Sequence, residues 1–317
     1  MKLYKLARDG VTQSLLQGFM LCRRYAQLAL ARWTPTKMSM PIAFGGMFHF
    51  ACEFYYEHLV HGKPVDPVAA TRFAERMWGR EKKKLVMSPE EEQSAELAIA
   101  VLEVLFPAYV SHYQKKDNKR KWTESEHEFD VPYQIPGTKI HTTLRGKLDG
   151  RFISSKKVWI KDTKTKSRIE EAFLLDLLTL DLQVGFYMLA EEEGTGNVVG
   201  GFEYDMVRRP GLQLNKKETM GQFQRRIAGD IKKRPEHYFK RVDITMTKED
   251  RERFREDLNC VLREFALWIN NDPQVPTYHR TANCTTRYGP CRYLPICARD
   301  DYSAFTRRED LFPELEG

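Results

Sequence analysis

The sequence predicts an α/β fold in which a central mixed β-sheet is flanked by helices, with a helical segment in front and a Cys-rich tail behind. Three observations predict it. Apolar side chains recur at helical spacing in the first third, alternate with polar ones in the middle, and return to helical spacing afterwards. We therefore expect one domain over 1–317, with a helical part over 1–120, a sheet core over 121–210, and a helical and Cys-rich part over 211–317.

The helical part rests on four runs of apolar side chains. Their spacing predicts a helix over 11–32 and a second over 43–62, behind a Pro41 start. The same spacing continues over 67–84 and over 89–114. Four helices are therefore expected to precede the sheet.

The sheet core is marked by alternation of apolar and polar side chains. Strands are predicted over 127–135, 139–153 and 157–163, with a Pro136-Gly137 turn between the first two. A further strand is predicted over 198–207. These segments supply the mixed sheet.

A helix predicted over 171–193 separates the last two strands. Apolar side chains line one of its faces: Leu174, Leu175, Leu178, Leu182 and Phe186. Helices return over 217–232 and 247–270, and the chain after Asn271, rich in Pro and Cys, is expected to be irregular. Strands that bracket helices in this way favour a sheet covered by helices.

Composition narrows the class of protein. The chain has 51 basic and 44 acidic residues, a net charge of +7 and a pI near 9.0, which favours a polyanionic partner. No apolar run is expected to span a membrane and the N-terminus lacks the apolar core of a signal peptide, so we expect a soluble intracellular protein with no membrane partner. The six cysteines should then be reduced thiols, metal ligands or core residues.

Two acidic residues and a lysine stand in the predicted sheet. Asp162 and Lys164 are two apart in a strand, so their side chains point to the same side, and Asp149 on the neighbouring strand can face Asp162. Two convergent carboxylates suit Mg²⁺ or Mn²⁺, and the lysine can orient or deprotonate the attacking water. The competing interpretation is an exposed strand edge in a chain that is 30% charged.

Further polar residues accompany this triad. Gln183 and Tyr187 are four residues apart on the following helix and project from one face, as do His49 and Glu53 on an earlier helix. For His49, the competing interpretation is a buried structural histidine. For Gln183 and Tyr187, it is core packing together with a surface polar group. Glu53, one turn from the histidine, fits a residue that orients the imidazole.

These residues form four motifs in a fixed order: Gly45 to His49, Gly146 to Gly150, Asp162-Thr163-Lys164 and Gln183 to Tyr187. With these motifs the chain resembles the RecB-type branch of the PD-(D/E)XK nucleases, which includes the CRISPR-adaptation nucleases and the AddB subunit. The resemblance covers roughly residues 15–300 and implies a restriction-endonuclease-like core.

The resemblance assigns metal ligation to three side chains and one backbone carbonyl: His49, Asp149, Asp162 and Thr163. It makes Lys164 the catalytic lysine. Gln183 and Tyr187 would shape the site and contact the phosphate backbone.

Four cysteines are split between the two ends of the chain: Cys22, Cys284, Cys291 and Cys297. Four thiolates are what a 4Fe–4S cluster or a structural Zn²⁺ requires, and their spacing does not separate the two. The resemblance favours an iron–sulfur cluster that ties the N-terminal helical segment to the tail. Cys52 and Cys260 fall within predicted helices and are expected to be core residues.

Two basic stretches also contain aromatic residues, Tyr113 to Trp122 and Phe223 to Arg241. Cationic grooves with stacking rings suit single-stranded nucleic acid, and a solvated charged loop is the competing interpretation. Arg208-Arg209-Pro210, at the end of a predicted strand, is a third candidate for phosphate contact.

Together these features predict a metal-dependent DNA nuclease, and we expect an exonuclease acting on single-stranded or frayed ends in DNA repair or recombination. The alternatives are an endonuclease that processes DNA ends in a recombination or integration complex, and a catalytically inactive DNA-binding scaffold. The sequence contains no Walker A glycine loop, so helicase coupling would need a helicase or recombination protein as partner.

Overall fold

The computed structural model describes residues 4–37, 39–83, 85, 87–170, 172–270, 283–286 and 289–315. At its centre lies a six-stranded sheet that mixes parallel and antiparallel pairs. Helices cover both faces of this sheet. The predicted α/β class with a central mixed sheet is confirmed.

Ten strands occur in the described residues: β1 Val11–Thr12, β2 Trp33–Pro35, β3 Lys121–Gln134, β4 His141–Ser154, β5 Lys157–Lys166, β6 Gly201–Arg208, β7 Phe239–Ile244, β8 Thr285–Thr286, β9 Gly289–Pro290 and β10 Phe305–Arg307. The central sheet contains β1 and β3 to β7, whereas β2 pairs with β10 and β8 pairs with β9 in two small separate sheets.

The helices in the same residues are α1 Leu6–Asp9, α2 Gln13–Leu21, α3 Arg23–Leu30, α4 Met40–Val60, α5 Pro67–Lys82, α6 Pro89–Asp117, α7 Leu174–Thr179, α8 Leu182–Thr195, α9 Met220–Lys233, α10 Pro235–Tyr238, α11 Lys248–Asn270 and α12 Leu294–Arg299. A short 3₁₀ turn, Pro313–Leu315, follows them.

The sheet divides around β4. One edge of β4 pairs with β3 along nearly its whole length. The other edge is shared, because β5 pairs with it from Gly150 onward and β1 pairs with it at Leu144 and Arg145. Residues 146–149 lie between these two partners, so the sheet opens at this point. We call this opening, formed by 146–149 of β4 and 162–164 of β5, the fork.

The sheet separates two apolar cores. The first, which includes Ile160 and Phe202, packs against α8 and α11. The second, which includes Phe152 and Val207, packs against α4, α6 and α9. Because side chains alternate along a strand, successive residues of β5 and β6 serve opposite cores.

Two of the predicted helices are broken in the structure. The predicted 11–32 helix is a short strand followed by α2 and α3, with extended backbone at Cys22 between them. The predicted 171–193 helix is split into α7 and α8, because the Asp181 side chain accepts a hydrogen bond from the backbone nitrogen of Gln183 (2.8 Å) and starts a new helix there. Leu175, expected on the apolar face, is 53% exposed.

Two strands of the central sheet were not predicted: β1, which lies within the expected 11–32 helix, and β7. β7 pairs antiparallel with β6, and its residues Lys240, Arg241 and Asp243 give it the composition of a charged surface segment. Arg241 points inward nonetheless, because buried carboxylates receive it.

One described helix, α6, is long and apolar enough to cross a membrane by length and composition alone. This corrects the expectation that no apolar run reaches that length. Core helices pass the same test, and Leu102, Leu105 and Phe106 of α6 are completely buried in the second core. We therefore assign α6 to the packed core of the domain.

The C-terminal segment is more regular than predicted. It contains α12, and its β10 pairs with β2 so that Phe305 lies opposite Pro35. Phe312 packs into the first core, and the Glu314 carboxylate accepts a hydrogen bond from the Thr12 hydroxyl (2.7 Å). The end of the described chain therefore lies against its beginning.

Candidate active site

The fork brings together the two carboxylates that the sequence predicted to converge. Gly150 and Lys161 are the last paired residues of β4 and β5, and Asp149 and Asp162 follow directly on the open side. Asp149 Oδ2 accepts a hydrogen bond from the backbone nitrogen of Thr163 (2.6 Å), which fixes this carboxylate against β5. Both aspartates are buried, with exposures of 8% and 1%.

Lys164 lies beside Asp162, as two residues of one strand face should. Its Nζ is 3.0 Å from Asp162 Oδ1 and 2.9 Å from Oδ2. Gln183 Nε2 donates a second hydrogen bond to Asp162 Oδ1 (2.8 Å) from the first turn of α8. The Asp162 carboxylate is thus oriented from two sides.

Tyr187 lies one turn beyond Gln183 and is 7% exposed. Its ring packs edge-on against Phe129, with 5.5 Å between the ring centroids. Gly146 makes room for this pair, since a Cβ there would be 2.4 Å from the Phe129 ring and 3.0 Å from that of Tyr187. Burial and the nearby Asp162 carboxylate raise the Tyr187 pKa, so its hydroxyl stays protonated.

His49 reaches the fork from α4. Its Nδ1 is 3.4 Å from Asp149 Oδ2. The helix lies close to β5 at Gly45, where a Cβ would be 3.2 Å from Thr165 Oγ1. Glu53, one turn further along, is half-buried, and its carboxyl group interacts with the Lys147 ammonium.

Glu126 is a site residue that the sequence analysis missed. It lies on β3 opposite Asp149, since its neighbours Ser125 and His127 pair with residues on either side of that aspartate. One ligand atom each from His49, Glu126 and Asp149 lies within 4.8 Å of the others, close enough to share a metal ion. No local pattern marks Glu126, because its position depends on the register of β3 against β4.

The backbone at Glu126 is unusual. Its φ is +50°, a left-handed conformation that non-glycine residues rarely adopt. The Lys147 ammonium lies 3.0 Å from Glu126 Oε2, whereas Oε1 is buried and has no hydrogen-bond partner among the described residues. A buried carboxylate oxygen with no donor is costly, and a cation would relieve that cost.

The electrostatics of the fork show an excess of negative charge. Burial raises the pKa of Glu126 to about 7, and the neighbouring Asp149 charge raises it further. Burial likewise raises the pKa of Asp162 to about 6, against the opposing effect of Lys164 and with a contribution from Asp149. Although burial opposes it, the Asp162 and Asp149 carboxylates raise the pKa of Lys164, which is therefore an ammonium at neutral pH. The local cations do not balance these carboxyl groups.

The opposite face of β5 carries a second carboxylate cluster, the buried ion network. Its members are Lys161, Glu203, Asp205, Asp117, Arg120 and Arg241. Arg241 Nε donates to Asp205 Oδ2 (2.8 Å), and Arg120 Nη1 donates to Glu203 Oε1 (2.8 Å). The three acidic members and Lys161 have no exposed surface.

This network removes part of the predicted DNA-binding surface. Arg120 and Arg241, assigned to the two basic stretches, are engaged by buried carboxylates. The rings expected to stack on bases are also inside the protein: Tyr113, Trp122, Phe223, Tyr238 and Phe239 have exposures between 1% and 8%. The prediction of stacking rings in these stretches is therefore wrong, because their aromatic residues build the second core.

The four cysteines assigned to a cluster converge in the structure. Cys22, Cys284, Cys291 and Cys297 line one cavity, together with Leu21, Tyr25, Asn283, Tyr293 and Leu294. The break between α2 and α3 places Cys22 there. The remaining cysteines differ from each other, because Cys52 is buried as predicted whereas Cys260 is exposed and is not a core residue.

One comparison with known proteins shows a family. A family model described as the PD-(D/E)XK nuclease superfamily matches residues 11–298. No curated protein matches the chain. Among solved structures, one titled "Crystal structure of SSO0001" is 13% identical with a TM-score of 0.26, and the match covers 54% of this chain and 68% of that one. A structural similarity at that score supports no inference.

Proposed function

The chain belongs to the PD-(D/E)XK nuclease superfamily, a superfamily of metal-dependent nucleases, and we propose that it hydrolyses DNA phosphodiester bonds with Mg²⁺ or Mn²⁺. We further propose that it is an exonuclease that acts on single-stranded or frayed ends. The observation that carries the metal dependence is the convergence of His49, Glu126 and Asp149, which each bring one ligand atom to within 4.8 Å of the others.

The donors of the fork fit a hard divalent cation. Carboxylate oxygens with one imidazole are ligands that Mg²⁺ and Mn²⁺ accept. His49, Asp149 and Asp162 would hold the ion, with the Thr163 carbonyl as a further ligand, and Glu126 offers one more oxygen on the same side. No described residue hydrogen-bonds to the buried Glu126 Oε1, so a cation in the fork would stabilise this oxygen.

The chain's own residues would divide the work of hydrolysis. A divalent ion in the fork would offset charge on the phosphodiester and favour ionisation of an attacking water. The Lys164 ammonium, held by Asp162 and about a third exposed, can donate to a phosphate oxygen and stabilise the charge that develops there. Gln183 keeps the Asp162 carboxylate in its orientation.

The experiment on this proposal compares end-labelled linear and circular DNAs, both single- and double-stranded, with Mg²⁺, with Mn²⁺ and with EDTA. We expect linear single strands to be shortened from an end only when metal is present, while a closed single-stranded circle survives. Rapid cutting of the circle would favour the endonuclease alternative. DNA binding without cleavage under any metal would favour the inactive scaffold.

We also propose that the four converging cysteines bind a 4Fe–4S cluster with a structural role. Support comes from their shared cavity and from mutual proximity: burial raises the pKa values of Cys291 and Cys297, and the charge of the Cys22 thiolate adds to both. Four partly buried cysteine sulfurs at close range suit a cationic centre, which would stabilise their thiolate form. The cluster would join α3 to α12 in the part of the molecule where β2 already pairs with β10.

The test of the cluster is spectroscopic. Protein purified without oxygen should be brown, with thiolate-bound iron absorbing at about 400 nm. Cys22→Ser should remove the colour, and Cys260→Ser, which changes an exposed cysteine outside the cavity, should keep it. A colourless protein that contains one zinc per chain would show that the four cysteines bind zinc instead of an iron–sulfur cluster. Full colour in Cys22→Ser would refute the four-cysteine site.

A further inference from the structure

A lysine lies beside the candidate metal site, although its ammonium group cannot bind a metal ion. Lys147 is two residues from Asp149 on β4, so the two side chains emerge on the same face of the strand. The Lys147 Nζ lies 3.0 Å from Glu126 Oε2, and the lysine side chain is only 17% exposed. The fork therefore contains a cation of its own at one of the carboxylates that could hold a divalent ion.

The Glu126 carboxylate has two possible cationic partners. One is the Lys147 ammonium, which contacts Oε2. The other is a divalent ion shared with His49 and Asp149, since one ligand atom of each of these residues and of Glu126 lies within 4.8 Å of the others. An ion bonded to Glu126 would lie close to the ammonium, and two cations at short range in a half-buried site repel each other. The two cations therefore compete for this carboxylate.

The surroundings of Glu126 explain why the metal-free protein needs a cation there. The Glu126 side chain is only 18% exposed, and no described residue hydrogen-bonds to its buried Oε1. A largely buried carboxylate without any cationic partner is strongly destabilising. The Lys147 ammonium offsets that cost while the fork holds no metal.

Glu53 gives Lys147 a second acceptor. It lies one turn beyond His49 on α4 and is half-buried. Although burial opposes it, the carboxylates of Glu126 and then of Glu53 raise the pKa of Lys147, so both act on the same ammonium. The lysine side chain has a flexible four-carbon stem. The ammonium can therefore move from Glu126 toward Glu53 while the backbone of β4 stays in place.

We propose that Lys147 is a resident counter-cation of the metal site, which neutralises Glu126 in the metal-free protein and releases this carboxylate to an incoming Mg²⁺ or Mn²⁺. The proposal rests on the proposed function and adds to it a residue that sets the metal affinity. Lys147 is a positioning residue, because it acts through Glu126. It weakens metal binding, since an ion that binds must displace the ammonium, and it stabilises the metal-free fold.

Calorimetric titration with Mn²⁺ in the absence of DNA measures this competition apart from activity. We expect Lys147→Met to bind Mn²⁺ about fivefold more tightly than the wild type, because no ammonium has to be displaced. Glu126→Gln should bind about tenfold more weakly, because it loses a carboxylate of the site. Lys147→Arg, which keeps the charge, should bind no more tightly than the wild type. Lys119→Met, which changes an exposed lysine outside the fork, is the matched control.

A double variant separates competition for Glu126 from repulsion at a distance. In the Glu126→Gln background, Lys147→Met should bring little gain in Mn²⁺ affinity, since the carboxylate for which the two cations compete is gone. An equal gain in both backgrounds would overturn the proposal, because Lys147 would then act by long-range repulsion alone. Unchanged Mn²⁺ affinity in Lys147→Met would overturn it as well, even if this variant bound DNA more weakly, since Lys147 would then be a phosphate contact.

Urea unfolding provides a second measurement in case Lys147→Met folds poorly without metal. The metal-free variant should be less stable than the wild type, and Mn²⁺ should raise its unfolding midpoint by more than it raises that of the wild type. Equal increases in the two proteins would contradict the proposal. Absence of Mn²⁺ binding by the wild type and by Lys147→Met alike would instead count against the proposed metal site itself.

Discussion

The two faces of β5 carry carboxylate clusters with opposite electrostatic behaviour. On the α6 side, Glu203 and Asp205 are fully buried, yet the nearby cations hold their pKa values below the ordinary range despite the opposing effect of burial. On the α8 side, burial and like charge raise the pKa of Asp162 to about 6. Lys161 and Asp162 are adjacent in sequence, so one step along a strand separates the two environments.

The difference lies in where the compensating cations come from. The buried ion network contains its own cations, supplied by β5, β7 and the turn that follows α6, and it therefore holds the fold together. The fork has too few, and Glu126 on β3 and Asp149 on β4 add charge that its lysines do not balance. A cluster of this second kind is incomplete until a cation arrives from solution, which is the arrangement expected of a metal site.

The largest expected effect is a loss of DNA cleavage when residues of the fork are changed. Asp162→Asn and Lys164→Ala should each lower the rate of DNA cleavage by about 10³-fold or more, because one removes a proposed metal ligand and the other the charge proposed to act at the reacting phosphate. DNA binding in EDTA should change little. Cleavage time courses on a labelled strand measure the rate, and Lys119→Ala, an exposed change outside the fork, is the control.

Cleavage at the wild-type rate in Asp162→Asn would show that the fork is not the active site. A Lys119→Ala variant that loses activity equally would show that the assay reports general DNA binding rather than chemistry.

The second-largest expected effect is a loss of stability when the buried ion network on the other face of β5 is broken. Arg241→Met should lower the free energy of unfolding by about 3–5 kcal/mol, because Asp117 and Asp205 stay buried while losing the guanidinium that they share. Urea unfolding measures the change. The protein that remains folded should still cleave DNA, since this network does not touch the fork carboxylates. A variant as stable as the wild type would contradict the structural role of the network.

A smaller effect is a pH dependence of stability with opposite signs on the two faces. The folded-state pKa of Glu126, raised from 4.5 to about 7, means that the folded protein binds this proton more tightly than the unfolded chain. The stabilising effect of this bound proton is therefore complete below pH 4.5. As the pH rises to about 7 the effect is lost, and the free energy of unfolding falls by on the order of 2–3 kcal/mol. Glu203 and Asp205, with lowered pKa values, lose their contribution as the pH falls instead.

Urea titrations of the metal-free protein across this range measure the dependence. Glu126→Gln should flatten the loss of stability on approaching neutral pH, and Glu128→Gln, an exposed neighbour on β3, should leave it in place. An identical pH profile in Glu126→Gln and the wild type would contradict the strained, charge-rich environment assigned to Glu126.

The sequence was informative where the position of a residue follows from local periodicity. Two residues of one strand face must emerge together, so Asp162 and Lys164 could be placed side by side. Helical spacing put Gln183 and Tyr187 on one helix face, and the resemblance to the RecB-type nucleases implied that this face meets the site. The central sheet could be predicted for the same reason, since alternation persists over whole strands.

Features that depend on register or on tertiary partners were missed. Glu126 reaches the fork only because β3 pairs with β4 in one register and bends at a left-handed residue. β7 was missed because Arg241 resembles a surface cation until its buried carboxylates are known. The break at Asp181 was missed because the apolar spacing continues across it, whereas a single side-chain hydrogen bond to the Gln183 nitrogen starts the second helix.

The measurement closest to the central claim is calorimetric titration of the metal-free protein with Mn²⁺ at neutral pH, in two buffers with different ionisation enthalpies. We expect saturable binding with release of protons from the fork carboxyl groups, and affinity at least about tenfold weaker in Asp149→Asn and Asp162→Asn. Glu128→Gln should bind Mn²⁺ as the wild type does. Absence of binding, or equal affinity in Asp149→Asn and the wild type, would contradict the claim that the fork is a metal site.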